Sequence, residues 1–394
     1  VIAEQTQTAV RKTSTLFHLR SLYLIMGLSG GMMGPYLTNL FVHQGIASSQ
    51  VGIIMSAGKI ASIVVQPLWG VLVDRYQQTR LVLMLSLAIP AVLAYFYNLQ
   101  WFAAILVVYM VTTVFQATQA PISDSYAVRA AKEANTTYGK IRSFGSFGNA
   151  IGGYLAGMYL MFCSITALWV PFLLLSLLGL VSIGALPAAT ERKAGSVAFG
   201  EGLRRLLGNR SFLFFLIGCF MINQTLTAFN SYFVLTFQMA GGSYGLSGIA
   251  LLIASLTNVP AMLVGSALQK KWGIKNVLLL ASAAYVLRWG IQWLFPIPEV
   301  IVAVQVLHGV SFGFFYVAAV EFVAGSSGKG MQATGQSLFN MVFSGFGGIV
   351  GNLLNGYLLE VGGPDLMYLV CAISALAGTL ILLFVKAGRS VKEA

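Results

Sequence analysis

The chain has 394 residues, of which 57% are apolar types and only 9% are charged, with a mean hydropathy of +0.82. A soluble domain carries about 25% charged residues, so there are too few charges here to cover a water-facing surface, and a soluble enzyme is excluded. The net charge of +12 does not call for nucleic acid, because membrane proteins gather Lys and Arg in their cytoplasmic loops.

A membrane-spanning helix needs about 20 mostly apolar residues. In chain order, twelve stretches meet that length: 17–42, 50–73, 80–98, 101–127, 137–162, 164–186, 211–238, 245–268, 275–295, 299–325, 331–359 and 364–386. The polar start Val1–Thr15 has no cleavage pattern after it, so no signal peptide is expected. Turn-forming residues separate the stretches, among them Gly45, Asp74–Thr79, Asn98–Gln100, Gly241–Ser243, Pro296–Pro298 and Gly362–Pro364. Cys163, Cys219 and Cys371 lie inside apolar runs and read as small core residues, with no disulfide framework and no metal spacing.

Three cations fall inside the expected spans: Lys59, Arg142 and Arg288. The other Lys and Arg residues lie in or beside one set of connections, the central stretch and the two ends. The opposite set carries Glu299, Glu360 and Asp365. That asymmetry places both termini in the cytoplasm. The polar stretch 187–210 divides the chain into an N-terminal six-helix bundle, 1–186, and a C-terminal one, 211–394. The halves echo each other: Gly148, Gly152 and Gly157 match Gly347, Gly351 and Gly356 at the same offset. Glycines so spaced let helix backbones approach closely. The expected fold is therefore an all-α membrane protein of twelve spans with 6+6 pseudo-symmetry.

The stretch Gly70-x-x-x-Asp74-Arg75-x-x-x-x-Arg80 after the second span resembles the loop signature of the major facilitator superfamily, with Gln77 replacing a usual glycine. The resemblance covers the whole chain. It implies alternating access about a midplane site between the halves, with this loop as a gating element. Three further spacings resemble the lactose permease and phenylpropionate permease group, which includes oligosaccharide:proton symporters. Ala120-Pro121-x-x-Asp124 lies 18 residues before Arg142, Arg288 lies 20 residues before His308, and Gly273-x-Lys275-Asn276 follows the eighth span. The first spacing implies an acid–arginine pair on substrate, and the second an arginine–histidine pair in the coupling site. There are departures from that group. Asn149 stands where a sugar-stacking tryptophan is usual, Ser311 and Ser255 replace carboxylates, and Asn223 and Ser344 replace an aspartate–lysine pair.

A charge in the bilayer core costs several kcal/mol, so it faces a partner or a water-filled cavity. Asp124 and Arg142 satisfy each other as an ion pair, which is either permanent or exchanges partners with substrate hydroxyls or a substrate carboxylate. Lys59, about nine residues or roughly 13 Å into its helix, either snorkels to an interface or contacts substrate. Arg288 is a further substrate contact, and Gln119 and Asn149 add hydrogen-bonding groups. Candidate proton carriers are Asp124, His308 and Glu321. His308 reads equally as a hydrogen-bonded core residue, and Glu321 as an interfacial partner of a cytoplasmic cation. Tyr36, Trp289, Trp293 and Tyr316 are candidate stacking surfaces. Three core cations against the one carboxylate assigned to the core, Asp124, favour a carboxylate-bearing or polyhydroxylated, sugar-like solute over a cationic one.

There is no phosphate-binding motif, no metal cluster and no nucleophile–base arrangement, so no enzyme activity, cofactor or metal is expected. The expected function is secondary transport of a small organic solute by proton symport, by a monomer in a bacterial-type inner membrane. The alternatives are an exporter or uniporter of the same fold, and a non-transporting membrane receptor.

Overall fold

A computed structural model describes residues 2–76, 78–186, 206, 208–327 and 331–386. The central stretch expected at 187–210 lies largely outside the described residues. Every regular element described is helical: α1 (Ile2–Met33), α2 (Leu37–His43), α3 (Ser48–Tyr76), α4 (Thr79–Leu93), α5 (Phe102–Gln116), α6 (Gln119–Glu133), α7 (Tyr138–Tyr159) and α8 (Trp169–Gly184) are followed by α9 (Arg210–Asn230), α10 (Phe233–Met239), α11 (Tyr244–Trp272), α12 (Ile274–Leu294), α13 (Pro298–Val304), α14 (Phe315–Ser326), α15 (Gln332–Asn340) and α16 (Gly347–Leu382).

Among the described residues, nine helical segments are long and apolar enough to cross a membrane. One of them, Thr334–Leu382, takes in the last two expected stretches. It is broken between them: Gly362 (φ −136°) and Gly363 (φ +66°) leave helical geometry just before Pro364. The positive φ at Gly363 is a conformation that costs glycine nothing. The segments α1 and α7 are not among the nine. Both are rich in glycine and polar residues, and α7 carries Lys140, Arg142, Ser146 and Asn149. The expected turn at 74–79 is shorter than the sequence implies, since α3 continues to Tyr76. The span expected at 101–127 is two helices, α5 and α6, meeting at Ala117–Thr118, and α6 runs on to Glu133.

The chain forms two compact units, Val1–Ile46 with Ala57–Ala194 and Ala47–Ser56 with Gly195–Ala394. In the first, α1 and α7 interlock through glycine. A Cβ on Gly27 or Gly31 would lie 2.1 Å from the carbonyl oxygen of Gly145 or Asn149. One on Gly148 or Gly152 would lie 2.3 Å from that of Leu24 or Leu28. Only hydrogen side chains allow this approach. Beside this seam a core of Leu19, Leu22, Tyr23, Leu83, Leu87, Ile122, Ala127 and Ile141 ties α1, α4, α6 and α7 together.

The second unit repeats the device between α9 and α16, where a Cβ on Gly351 would lie 2.4 Å from the Gln224 oxygen. Asn355 Nδ2 donates to the Gln224 oxygen (3.2 Å) and to Thr227 Oγ1 (2.6 Å) across this contact. The glycine echo in the sequence is thus one packing solution used in both units. Residues 47–56 of α3 also pack in this unit: Ser56 Oγ donates to the Ile349 oxygen (2.8 Å), and the Ser49 amide donates to Glu360 Oε2 (2.8 Å). In α9, Asn209 caps the free amides of Ser211 (3.0 Å) and Phe212 (3.4 Å).

Candidate substrate site

In the first unit, α6 and α7 bring Asp124 and Arg142 together, with Arg142 Nη1 3.2 Å from Asp124 Oδ2. The two side chains are 28% and 55% exposed, so the pair is accessible from outside the packed core. Two tyrosines complete it. Tyr23 of α1 donates its hydroxyl to Asp124 Oδ1 (2.5 Å), and Arg142 Nη1 donates to the Tyr138 hydroxyl (2.5 Å). Each carboxylate oxygen therefore accepts at least one bond, and the Tyr138 hydroxyl faces the carboxylate as well. Arg142 uses one nitrogen for both of its contacts, which leaves Nη2 and Nε for a further acceptor. The run of α6 to Glu133 keeps Asp124 within a helix rather than at its end.

The other expected contacts of this unit lie on α7, α6 and α3. Asn149 is exposed and lies seven residues, two turns, beyond Arg142 on the same face of α7. Gln119 is occupied, its Nε2 donating to the Ser86 oxygen at 2.7 Å and fixing α6 to α4. Lys59 is exposed, three residues beyond Ser56 on the same stripe of α3.

In the second unit, Arg288 of α12 and His308 are also brought together, Nη1 lying 2.9 Å from Nδ1. Arg288 Nη2 donates to Gln305 Oε1 (2.5 Å). A guanidinium only donates, so His308 Nδ1 is the acceptor and its ring hydrogen sits on Nε2. The Arg288 side chain is fully buried. Its charge lies 4.4 Å from the Phe229 ring centre and 4.8 Å from that of Trp289. These rings and neutral acceptors stabilise the cation, and no carboxylate is among its described partners. His308 is followed by a π-helical turn, Gly309–Phe314. Its ring stacks on Phe312 (5.5 Å), which stacks on Tyr316 (5.7 Å).

Of the four expected stacking residues, two are not available. Tyr36 is fully buried with its hydroxyl on the Gly153 oxygen (2.8 Å), and Trp289 is fully buried with Nε1 on Thr225 Oγ1 (2.9 Å). Tyr316 and Trp293 remain accessible. Glu321 meets Gln269 of α11 once that amide is turned to donate, and among the described residues no cation is paired with it. Of the loop signature, Gly70 and Asp74 have side-chain environments outside the described residues. Arg75 is exposed, 5.7 Å above the Tyr76 ring. A guanidinium nitrogen of Arg80 lies 3.7 Å from where a Gly184 Cβ would sit, at the C-terminal end of α8, which favours a cation.

Sequence reading missed Tyr23, Tyr138 and Phe229. Tyr138 had a signal, since it precedes Arg142 by four residues and so shares its face. Tyr23 and Phe229 come from other helices, and nothing in their local sequence marks them.

The chain belongs to the MFS_1 like family of the major facilitator superfamily, whose family model matches residues 16–370. It is 28% identical over 377 residues to the maltose permease of Geobacillus stearothermophilus, covering 95% of this chain and 94% of that one. It is 25% identical over 366 residues to the xanthosine permease of Escherichia coli strain K12, covering 87% and 86%. Among solved structures, a variant of the nucleoside transporter NupG superposes with a TM-score of 0.84 at 18% identity, covering 94% of this chain and 99% of that one. The proteins it resembles are permeases and transporters, not enzymes.

Proposed function

We propose that this protein is a twelve-span, proton-coupled secondary transporter that imports a small neutral solute rich in hydroxyl groups, a sugar or a nucleoside. Both termini lie in the cytoplasm of a bacterial-type inner membrane, and the monomer is the working unit. The observation that carries the reading is the accessible Asp124–Arg142 pair with unused guanidinium donors. The pair is charge-balanced. A hydroxyl satisfies both members at once, donating to Asp124 and accepting from Arg142. A solute carboxylate at the same place has to displace Asp124 or lie against it. The names maltose permease and xanthosine permease, borne by two relatives, both denote hydroxyl-rich solutes. Asp124 is the proton site of this reading. His308, whose Nδ1 faces a permanent cation, and Glu321, which meets Gln269, have structural partners instead.

A second reading, a carboxylate-bearing solute, draws on Lys59, an exposed cation with no described carboxylate partner. A thermal-shift screen of maltose, xanthosine, uridine and 3-phenylpropionate separates the two, because a bound solute stabilises the fold by mass action, by about 2.7 kcal/mol at a hundredfold excess over Kd. Stabilisation by 3-phenylpropionate alone overturns the neutral-solute reading. An acid pulse across proteoliposomes then tests coupling: accumulation of the stabilising solute supports symport, equilibration alone supports a uniporter, and binding without flux supports a receptor.

A further inference from the structure

We propose that Tyr23 is the positioning residue of the Asp124–Arg142 pair: its hydroxyl holds the carboxylate turned toward the guanidinium. The inference rests on the reading of this pair as the substrate site.

Tyr23 is 6% exposed and anchored in the core of the first unit. Its backbone belongs to α1, which the glycine contacts of Gly27 and Gly31 lock against α7. Its ring lies against Gly145, where a Cβ would be 3.3 Å from the ring edge. A phenol so fixed delivers its hydrogen to one place, Asp124 Oδ1, at 2.5 Å. The opposite oxygen is left to Arg142 at 3.2 Å.

Arg142 is held in turn by the Tyr138 hydroxyl at 2.5 Å, so both members of the pair are fixed by a phenol. The groups facing Asp124 are few. From α1 comes Tyr23, while Arg20, one turn earlier, lies over the Phe144 ring at 5.7 Å. From α7 come Tyr138 and Arg142. The one ionisable residue of α4, Arg80, sits by Gly184.

A thermal-unfolding cycle of the full chain in lipid tests this without substrate. Tyr23→Phe lowers the melting temperature of the wild-type protein and has a smaller effect in the Asp124→Ala background, which removes the acceptor, because the two groups act as a pair. Equal losses in both backgrounds overturn the proposal. Solute binding supplies the second readout: Tyr23→Phe weakens the apparent affinity for the solute that stabilises the wild type, and an unchanged affinity overturns the proposal. Coupling between Tyr23 and Asp124 in a protein that maltose, xanthosine and uridine all fail to stabilise leaves Tyr23 in this role and refutes the substrate reading instead.

Discussion

The glycine seam between α1 and α7 gives a prediction whose sign and size come from geometry. In Gly152→Ala the new Cβ starts 2.3 Å from the Leu28 carbonyl oxygen, and ordinary contact begins at 3.4 Å. The obstacle is backbone, so no rotamer change relieves it, and α1 and α7 must part by about an ångström. Overpacking of this kind costs about 1–3 kcal/mol, against which alanine returns at most about 1 kcal/mol of helix propensity. Gly290→Ala is the control. Gly290 also lies inside a helix, α12, but a Cβ there meets nothing within 4 Å. Only the propensity gain remains, and stability rises by up to about 1 kcal/mol. Thermal unfolding of the two variants in the same mild detergent measures the contrast. A Gly152→Ala protein as stable as Gly290→Ala refutes the close backbone approach and the packing account built on it.

Two further outcomes follow from the second unit. Arg288→Lys loses the flat contact with the Phe229 and Trp289 rings and cannot reach His308 and Gln305 together, because an ammonium lacks the planar fork. Stability falls by about 1.5–3 kcal/mol, the worth of a hydrogen bond to a charged group, and a wild-type melting temperature contradicts this. Glu360→Gln removes the negative charge at the first turn of α3, which has no acidic residue of its own. The amide of Ser49 then exchanges with solvent faster, and hydrogen-exchange mass spectrometry of the 47–56 segment reads the change; unchanged exchange there contradicts it.

Most of the helices were legible because apolar length is a one-dimensional signal. So were the Asp124–Arg142 and Arg288–His308 pairings, where a resemblance supplied the partner that spacing alone leaves open. The glycine echo was legible as well, since Gly148 and Gly152 and their counterparts Gly347 and Gly351 have to meet something small. Other features depend on tertiary placement. Tyr36 and Trp289 look like stacking surfaces in sequence, but their polar atoms are used on Gly153 and Thr225, which buries the rings. Tyr23 joins the site from 101 residues away, and Gln269 meets Glu321 from another helix. In α7 the polar and glycine residues that build the site also dilute the apolar signal of a span.

The central claim is that the Asp124–Arg142 pair binds the transported solute. Proteoliposome uptake of the solute that stabilises the wild type, measured in Asp124→Asn and Arg142→Ala proteins that fold and reconstitute normally, tests it most directly. The account predicts that both variants lose transport; full transport by both contradicts it.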